Sequence, residues 1–396
     1  VSRHLAPLTL LLAASAACSS GLRLGSRTHW ESSSTEPTRS HAVAELRWRL
    51  PLVTLTDLDA RSRSRARPAY DPARGVLFVG GLDRGVHAIR ARDGALLWRF
   101  QTLAPVEGTP TLDRGTVYIG STDGALYALD ARTGQMRWRF ATVAEIIHAP
   151  IVAGDSVYCV NADDTVFAVN RTTGESRWRY RREPPGGITG GGHAGVLYDG
   201  HRLYTGFSDG RAVALDPADG TAIWERDTST DSEAAEGATE AHRTIDVDTT
   251  PVLVDGNLFV ASYTAGLYAL DPAGGGVRWR VDRLLNISSL AHDDRYVYAT
   301  SASLGLLKVS ATDGEVAWMR DLGSRSMQQP VVRGGIVYVP SADTSMWVIR
   351  TRDGEAISGL GNEGVSGSPL VTDSHVFFET NRGVVYAWRF FTDNPT

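Results

Sequence analysis

Residues 115–138 read GTVYIGSTDGALYALDARTGQMRW, and the same pattern returns along almost the whole chain. It holds three runs of β-forming residues, at 117–119, 126–129 and 136–138, separated by short turns. Asp123-Gly124 and Thr133-Gly134 supply the glycine that a tight hairpin needs where its backbone turns to positive φ. The runs at 126–129, 166–169, 212–215 and 267–270 are β-forming without interruption, as expected of strands covered on both faces. No helical periodicity competes over a comparable length.

The turn glycine recurs as Gly94, Gly134, Gly174, Gly220, Gly275, Gly314 and Gly354, at steps of 40, 40, 46, 55, 39 and 40 residues. A period near forty, with three to four strands in each period, marks a propeller array. Counting one strand type, at 76–80, 117–120, 157–160, 203–206, 258–262, 296–300, 336–340 and 376–380, gives eight units. The last unit stops after Val384-Val-Tyr-Ala-Trp388 without an outer strand, while Ala44-Glu-Leu-Arg-Trp48 is an outer strand without a unit. The fold expected is therefore all-β: an eight-bladed β-propeller of four-stranded antiparallel blades, closed by pairing the N-terminal and C-terminal strands. The blades occupy 43–391, and 392–396 form a tail. Trp98, Trp138, Trp178, Trp224, Trp279 and Trp318 each stand four residues after a turn glycine, and Trp48 holds the matching place in the first strand. All seven read as packing residues buried between blades, and only the seventh unit departs, with Ser358.

The start of the chain carries a different signal. Arg3 and His4 precede an apolar stretch from Leu5 to Ala17, and the small residues Ser15, Ala16 and Ala17 lead into Cys18. This order fits a secretory signal peptide over 1–18 ending in a bacterial lipobox, with Cys18 lipidated, although Ser15 stands where leucine is usual. Residues 19–42, rich in Ser and Thr, suit a flexible tether. By analogy with enterobacterial lipoproteins, Ser19 and not an aspartate next to the anchor permits sorting to the periplasmic face of the outer membrane. The only other cysteine, Cys159, lies in a strand-like run and reads as a buried thiol. The net charge of −5, from 40 basic and 45 acidic residues, gives no global field for nucleic acid, and Lys308 is the single lysine.

The unit Tyr-Ala-Leu-Asp, glycine turn, tryptophan resembles the repeat of the pyrroloquinoline-quinone (PQQ) propeller superfamily over about residues 43–391. Two branches of that superfamily matter: quinoprotein dehydrogenases and BamB, a lipoprotein of outer-membrane protein assembly. Quinoprotein dehydrogenases hold the quinone against two adjacent cysteines and carry a calcium site and large insertions. No adjacent pair of cysteines exists here, so the resemblance implies no cofactor and no catalysis. The segment Arg243-Thr-Ile-Asp246-Val-Asp248-Thr249-Thr-Pro251 is similar to the BamB segment that leads into the fifth blade and docks on BamA, the membrane barrel of the machinery. The resemblance thus implies that Arg243, Asp246, Asp248 and Thr249 bind a BamA-like partner, with unfolded outer-membrane proteins as the substrates presented. Both acids are expected to be exposed at the mouth of that blade. One feature departs from the family: the loop 187–193, where a Leu-rich segment with an arginine is expected, is Gly187-Ile-Thr-Gly-Gly-Gly-His193. A propeller binding another envelope partner or ligand, or a quinone-dependent oxidoreductase, are the competing functions.

Other motifs point to less. Residues 190–195 fit G-x-G-x-x-G, but a dinucleotide site needs a strand before it and a helix after it, whereas Pro184-Pro185 precede and a strand follows. Glu107, His148, His193 and Asp248 all fall in loops that lead into blades and could meet around the axis, but their spacing lacks a short-range ligand pair, so no metal site is expected. Arg61, Arg63, Arg65 and Arg67 form a basic loop. The insertion 227–240, with Asp231, Glu233 and Glu236, reads as a flap beside Asp246.

Overall fold

The computed structural model describes residues 44–53, 65–182, 194–228, 246–324, 326–361 and 363–390. They form eight four-stranded antiparallel sheets, the blades of one propeller. Blade 1 spans 69–101, blade 2 111–141, blade 3 151–181, blade 4 197–227, blade 5 252–281, blade 6 287–320 and blade 7 331–360. Blade 8 takes three strands from 370–390, and its outer strand is Ala44–Pro51, paired antiparallel with Val384–Phe390 from Ala44 opposite Phe390 to Pro51 opposite Val384. The ring is thus closed by hydrogen bonds between its two ends, as the orphan strand at Ala44–Trp48 predicts.

Burial follows strand order. The second and third strands of each blade are nearly all buried, as in Thr116–Gly120 and Ala125–Asp130, because each blade face is covered by a neighbour. Outer strands such as Met136–Ala141 are mostly exposed. Cys159 is buried in the second strand of blade 3, and burial pushes its thiol up to about 12, so it is a packing residue.

The tryptophans explain the repeat in physical terms. Each indole of an outer strand covers the turn glycine of the next blade: Trp98 lies on Gly134, Trp138 on Gly174, and Trp48 of blade 8 on Gly94 of blade 1. A Cβ on Gly134 would lie 2.7 Å from the Trp98 ring, and φ there is +74°, so contact and conformation both demand glycine. The indole nitrogens of Trp48, Trp98, Trp138, Trp178, Trp224 and Trp318 donate to carbonyls of the following blade, at 2.8–3.2 Å. Trp279 covers Gly314 without such a bond among the described residues. Only Trp138 and Trp224 are buried; Trp48, Trp98, Trp178, Trp279 and Trp318 stand half-buried, because the outer strand meets solvent at the rim.

Ser358 now has a reason. Blade 8 has no turn between its third and outer strands, since these come from opposite ends of the chain, so blade 7 has no glycine turn to cover. The ring partner that a tryptophan provides elsewhere, as Trp138 does for Tyr118, is supplied to Tyr338 by Phe390 of blade 8, with centroids 5.8 Å apart.

Candidate partner-docking face

The described residues that lead directly into the blades are tied from blade to blade at four places. Arg67 N donates to Thr109 Oγ1 at 3.1 Å, Thr111 Oγ1 to the Pro150 carbonyl at 2.6 Å, Gly195 N to Thr250 Oγ1 at 2.8 Å, and Ser368 Oγ to the Gln329 carbonyl at 3.0 Å. These bonds link blade to blade, so the loops are fixed by the ring and present a preorganised surface.

The segment leading into blade 5 is built into this belt more deeply than its acidic sequence predicts. Val247 is fully buried against Gly206, and its N–H donates to the Phe207 carbonyl at 3.1 Å. That anchor draws its neighbours inward. Asp246 is only 1% exposed, which corrects the expectation of an acid open to solvent, and its carbonyl accepts from Tyr263 N at 3.1 Å. Thr249 is buried as well: its hydroxyl accepts from Ala261 N at 2.9 Å, a tie between the loop and the second strand. Asp248 is half-buried, at the loop position that Glu107 holds in blade 2. Neither acid lacks a partner. Cys18, Arg243, His193, the loop 187–193 and most of the insertion 227–240 lie outside the described residues, as do Arg61 and Arg63.

Among the side chains exposed on blade 5 and the loop after it are two large apolar ones. Tyr263 and Leu285 are each 37% exposed, and the loops that carry them are joined by the bond from Asn286 N to the Tyr263 carbonyl at 2.9 Å. Sequence reasoning missed both. The available signal was the turn that carries Tyr263, which has Thr264 where blades 1 to 4 carry an aspartate: Asp83, Asp123, Asp163 and Asp209.

Beside this patch, a charge network joins blades 3 and 4. Arg182 binds Asp209 at 2.5 Å and Glu225 at 3.0 Å, Tyr180 donates to Glu225 at 2.8 Å, and Arg211 binds Asp227 at 3.0 Å. Burial alone would lower the Arg182 pKa, but the hydrogen bonds to Asp209 and Tyr180 outweigh it and hold the guanidinium above its ordinary value. Towards the axis, burial raises the Glu107 pKa, with Arg65 opposing and Glu145 adding to the shift. The Gly195 backbone packs against Thr250 and His148, so the loops of blades 3, 4 and 5 meet there. Among the described residues, no group of three or more His, Cys, Asp and Glu is placed to hold a metal. The G-x-G-x-x-G stretch runs through Gly195 into the strand Leu197–Tyr198 and not into a helix.

An eight-bladed ring of this repeat, with indole-on-glycine contacts between blades, is a propeller of the PQQ-like class. Within it, the profile of the family described as outer membrane protein assembly factor BamB matches residues 27–139, 82–301 and 264–357, and the chain belongs to that family. The chain is 28% identical over 185 residues to the outer membrane protein assembly factor BamB of Escherichia coli, covering 46% of each protein. It is 28% identical over 194 residues to that of Kangiella koreensis, covering 46% of this chain and 47% of the relative. These matches span about half the length of the curated relatives. The crystal structure of BamB from Moraxella catarrhalis superposes with a TM-score of 0.72 at 22% identity, over 88% of this chain and all of that one. A quinohemoprotein alcohol dehydrogenase from Comamonas testosteroni superposes at 0.65 with 16% identity, over 89% and 78%, a likeness of fold alone.

Proposed function

We propose that this protein is a non-catalytic lipoprotein scaffold of the bacterial envelope. It is held by Cys18 to the periplasmic face of the outer membrane and acts in outer-membrane protein assembly. It binds a BamA-like barrel partner and helps present unfolded outer-membrane proteins for folding and insertion. The observation that carries this reading is the family match over most of the propeller. The docking face is centred on blade 5, where half-buried Asp248 follows by two residues Asp246, whose carbonyl accepts from exposed Tyr263, and the Tyr263 carbonyl in turn accepts from Asn286 next to exposed Leu285. An aromatic anchor with a flanking acid suits a partner surface that pairs an apolar pocket with a basic side chain. Arg243 belongs to the same segment and is proposed to contribute to it, whereas Asp246 and Thr249 act by holding the loop in shape.

Recovery of the barrel partner from native membranes tests this directly. Tyr263→Ala combined with Asp248→Asn should lower recovery at least about tenfold, as expected for removal of an interface anchor, while leaving the melting temperature near that of the parent. Full recovery with both substitutions would remove blade 5 from the interface.

A further inference from the structure

The outer strands distribute charge unevenly around the ring, and the net charge hides it. The residue after each covering tryptophan is Arg49, Arg99, Arg139 and Arg179 in blades 8, 1, 2 and 3, which are consecutive in the ring. At the same register, blade 4 has Glu225, blade 6 Met319 and blade 7 Gly359, while Arg280 of blade 5 is tied to Asp282 at 2.9 Å. Arg49, Arg139 and Arg179 are exposed, as is Arg177 beside them, and none of the four has a carboxylate within salt-bridge distance among the described residues.

The same sector carries a row of exposed apolar side chains. Two residues before the tryptophan position stand Leu46, Leu96 and Met136, one each in blades 8, 1 and 2, all about half exposed. Blades 3 and 4 have only Ser176 and Ala222 there. In the loops after the outer strands of blades 1 and 2, Leu103 and Val143 project further still, Val143 at 89% exposed. They are held there: the hydroxyls of Thr102 and Thr142 each lie 2.7–2.9 Å from two backbone carbonyls and share their one proton between them. Finally, the first described strand, Ala44–Pro51, is the outer strand of blade 8, so the chain coming from Cys18 joins the ring within this sector.

We propose that the rim of blades 8, 1, 2 and 3 docks on an anionic bilayer surface. The guanidinium groups of Arg49, Arg139 and Arg179, which form no salt bridge among the described residues although Arg139 donates to the Tyr127 hydroxyl at 3.2 Å, bind lipid phosphates, and Leu46, Leu96 and Met136 enter the interfacial zone. Arginine suits this role because its planar fork binds phosphate oxygens in pairs and is weakly hydrated. Exposed apolar groups interleaved with unpaired arginines define an interfacial surface, and the attachment point of the proposed anchor selects a membrane over an acidic protein. The inference rests on the envelope location proposed above but is independent of the barrel partner.

The test uses the full chain carrying Cys18→Ala, which cannot be acylated, with vesicles of phosphatidylcholine alone or with 30% phosphatidylglycerol, about the anionic content of a charged leaflet. It should co-sediment with the anionic vesicles only and be released by raised salt. Arg49→Gln, Arg139→Gln and Arg179→Gln together should weaken partitioning about a hundredfold, with the melting temperature retained. Arg295→Glu, exposed on blade 6, should change nothing. Equal partitioning of the triple variant, equal binding to neutral vesicles, or no vesicle binding would overturn the proposal. So would loss of the barrel partner by the triple variant with vesicle binding intact, which would assign the rim to a protein interface.

Discussion

His87 occupies the position that Tyr127 fills in blade 2 and Phe167 in blade 3, opposite Arg99 as they are opposite Arg139 and Arg179. It is 2% exposed, its Nε2 lies 3.2 Å from Asp83, and its Nδ1 has no partner among the described residues. Burial lowers its pKa to about 4 from 6.5, against the pull of Asp83 and with some help from Arg99. The folded state therefore binds fewer protons than the unfolded chain between these two values. The stability His87 supports is complete above pH 6.5 and is lost as pH falls towards 4, by on the order of 2–3 kcal/mol. Melting curves of His87→Phe and the parent should agree at pH 7.5 and diverge in favour of the variant as pH drops from 6.5 to 4; parallel curves would show that the imidazole does not titrate there. Gly134 makes a second test at this scale. Alanine there meets both a φ of +74° and the Trp98 ring, so Gly134→Ala should cost about 2–3 kcal/mol in denaturant titration.

At the level of strands, the sequence carried the ring almost completely. The turn glycines, the tryptophans four residues on, and the orphan strand at Ala44–Trp48 predict eight blades and their closure. Contacts across the ring were less legible. Spacing along the chain showed a tryptophan after six of the seven turn glycines, but the glycine it covers belongs to the next blade, and the rim geometry leaves five of the seven tryptophans only half-buried. The same limit explains Asp246. Its resemblance to a docking segment suggested an exposed acid, whereas the burial of Val247 under Gly206, a contact between distant segments, pulls it inward. Tyr263 and Leu285 were overlooked because single exposed apolar residues have no pattern in sequence. Outer-strand packing makes its own prediction. Trp138→Ala, at a buried indole bonded to the Arg171 carbonyl at 2.9 Å, should cost about 3–5 kcal/mol. Ser358→Ala at the matching place in blade 7 should stay within about 0.5 kcal/mol, because no glycine turn lies beyond it. Equal losses at the two positions would contradict the indole-on-glycine account.

At the scale of the whole molecule, a ring tied at its ends offers two separate surfaces: the blade 5 patch proposed for a protein partner and the basic rim proposed for lipid. Rigidity matters because a surface fixed in advance loses little entropy on binding. The proposed anchor has its own check. Labelling of cells with a clickable fatty acid should mark the parent and spare Cys18→Ala, and equal labelling would remove the lipid from the account. The central claim, an assembly factor for outer-membrane barrels, is tested most directly by the folded fraction of those barrels in the native bacterium, read from their heat-dependent shift in electrophoresis. Depletion of this protein should lower that fraction, and the parent chain should restore it while the Tyr263→Ala, Asp248→Asn variant does not. An unchanged folded fraction on depletion, with the barrels inserted at their normal rate, would contradict the claim.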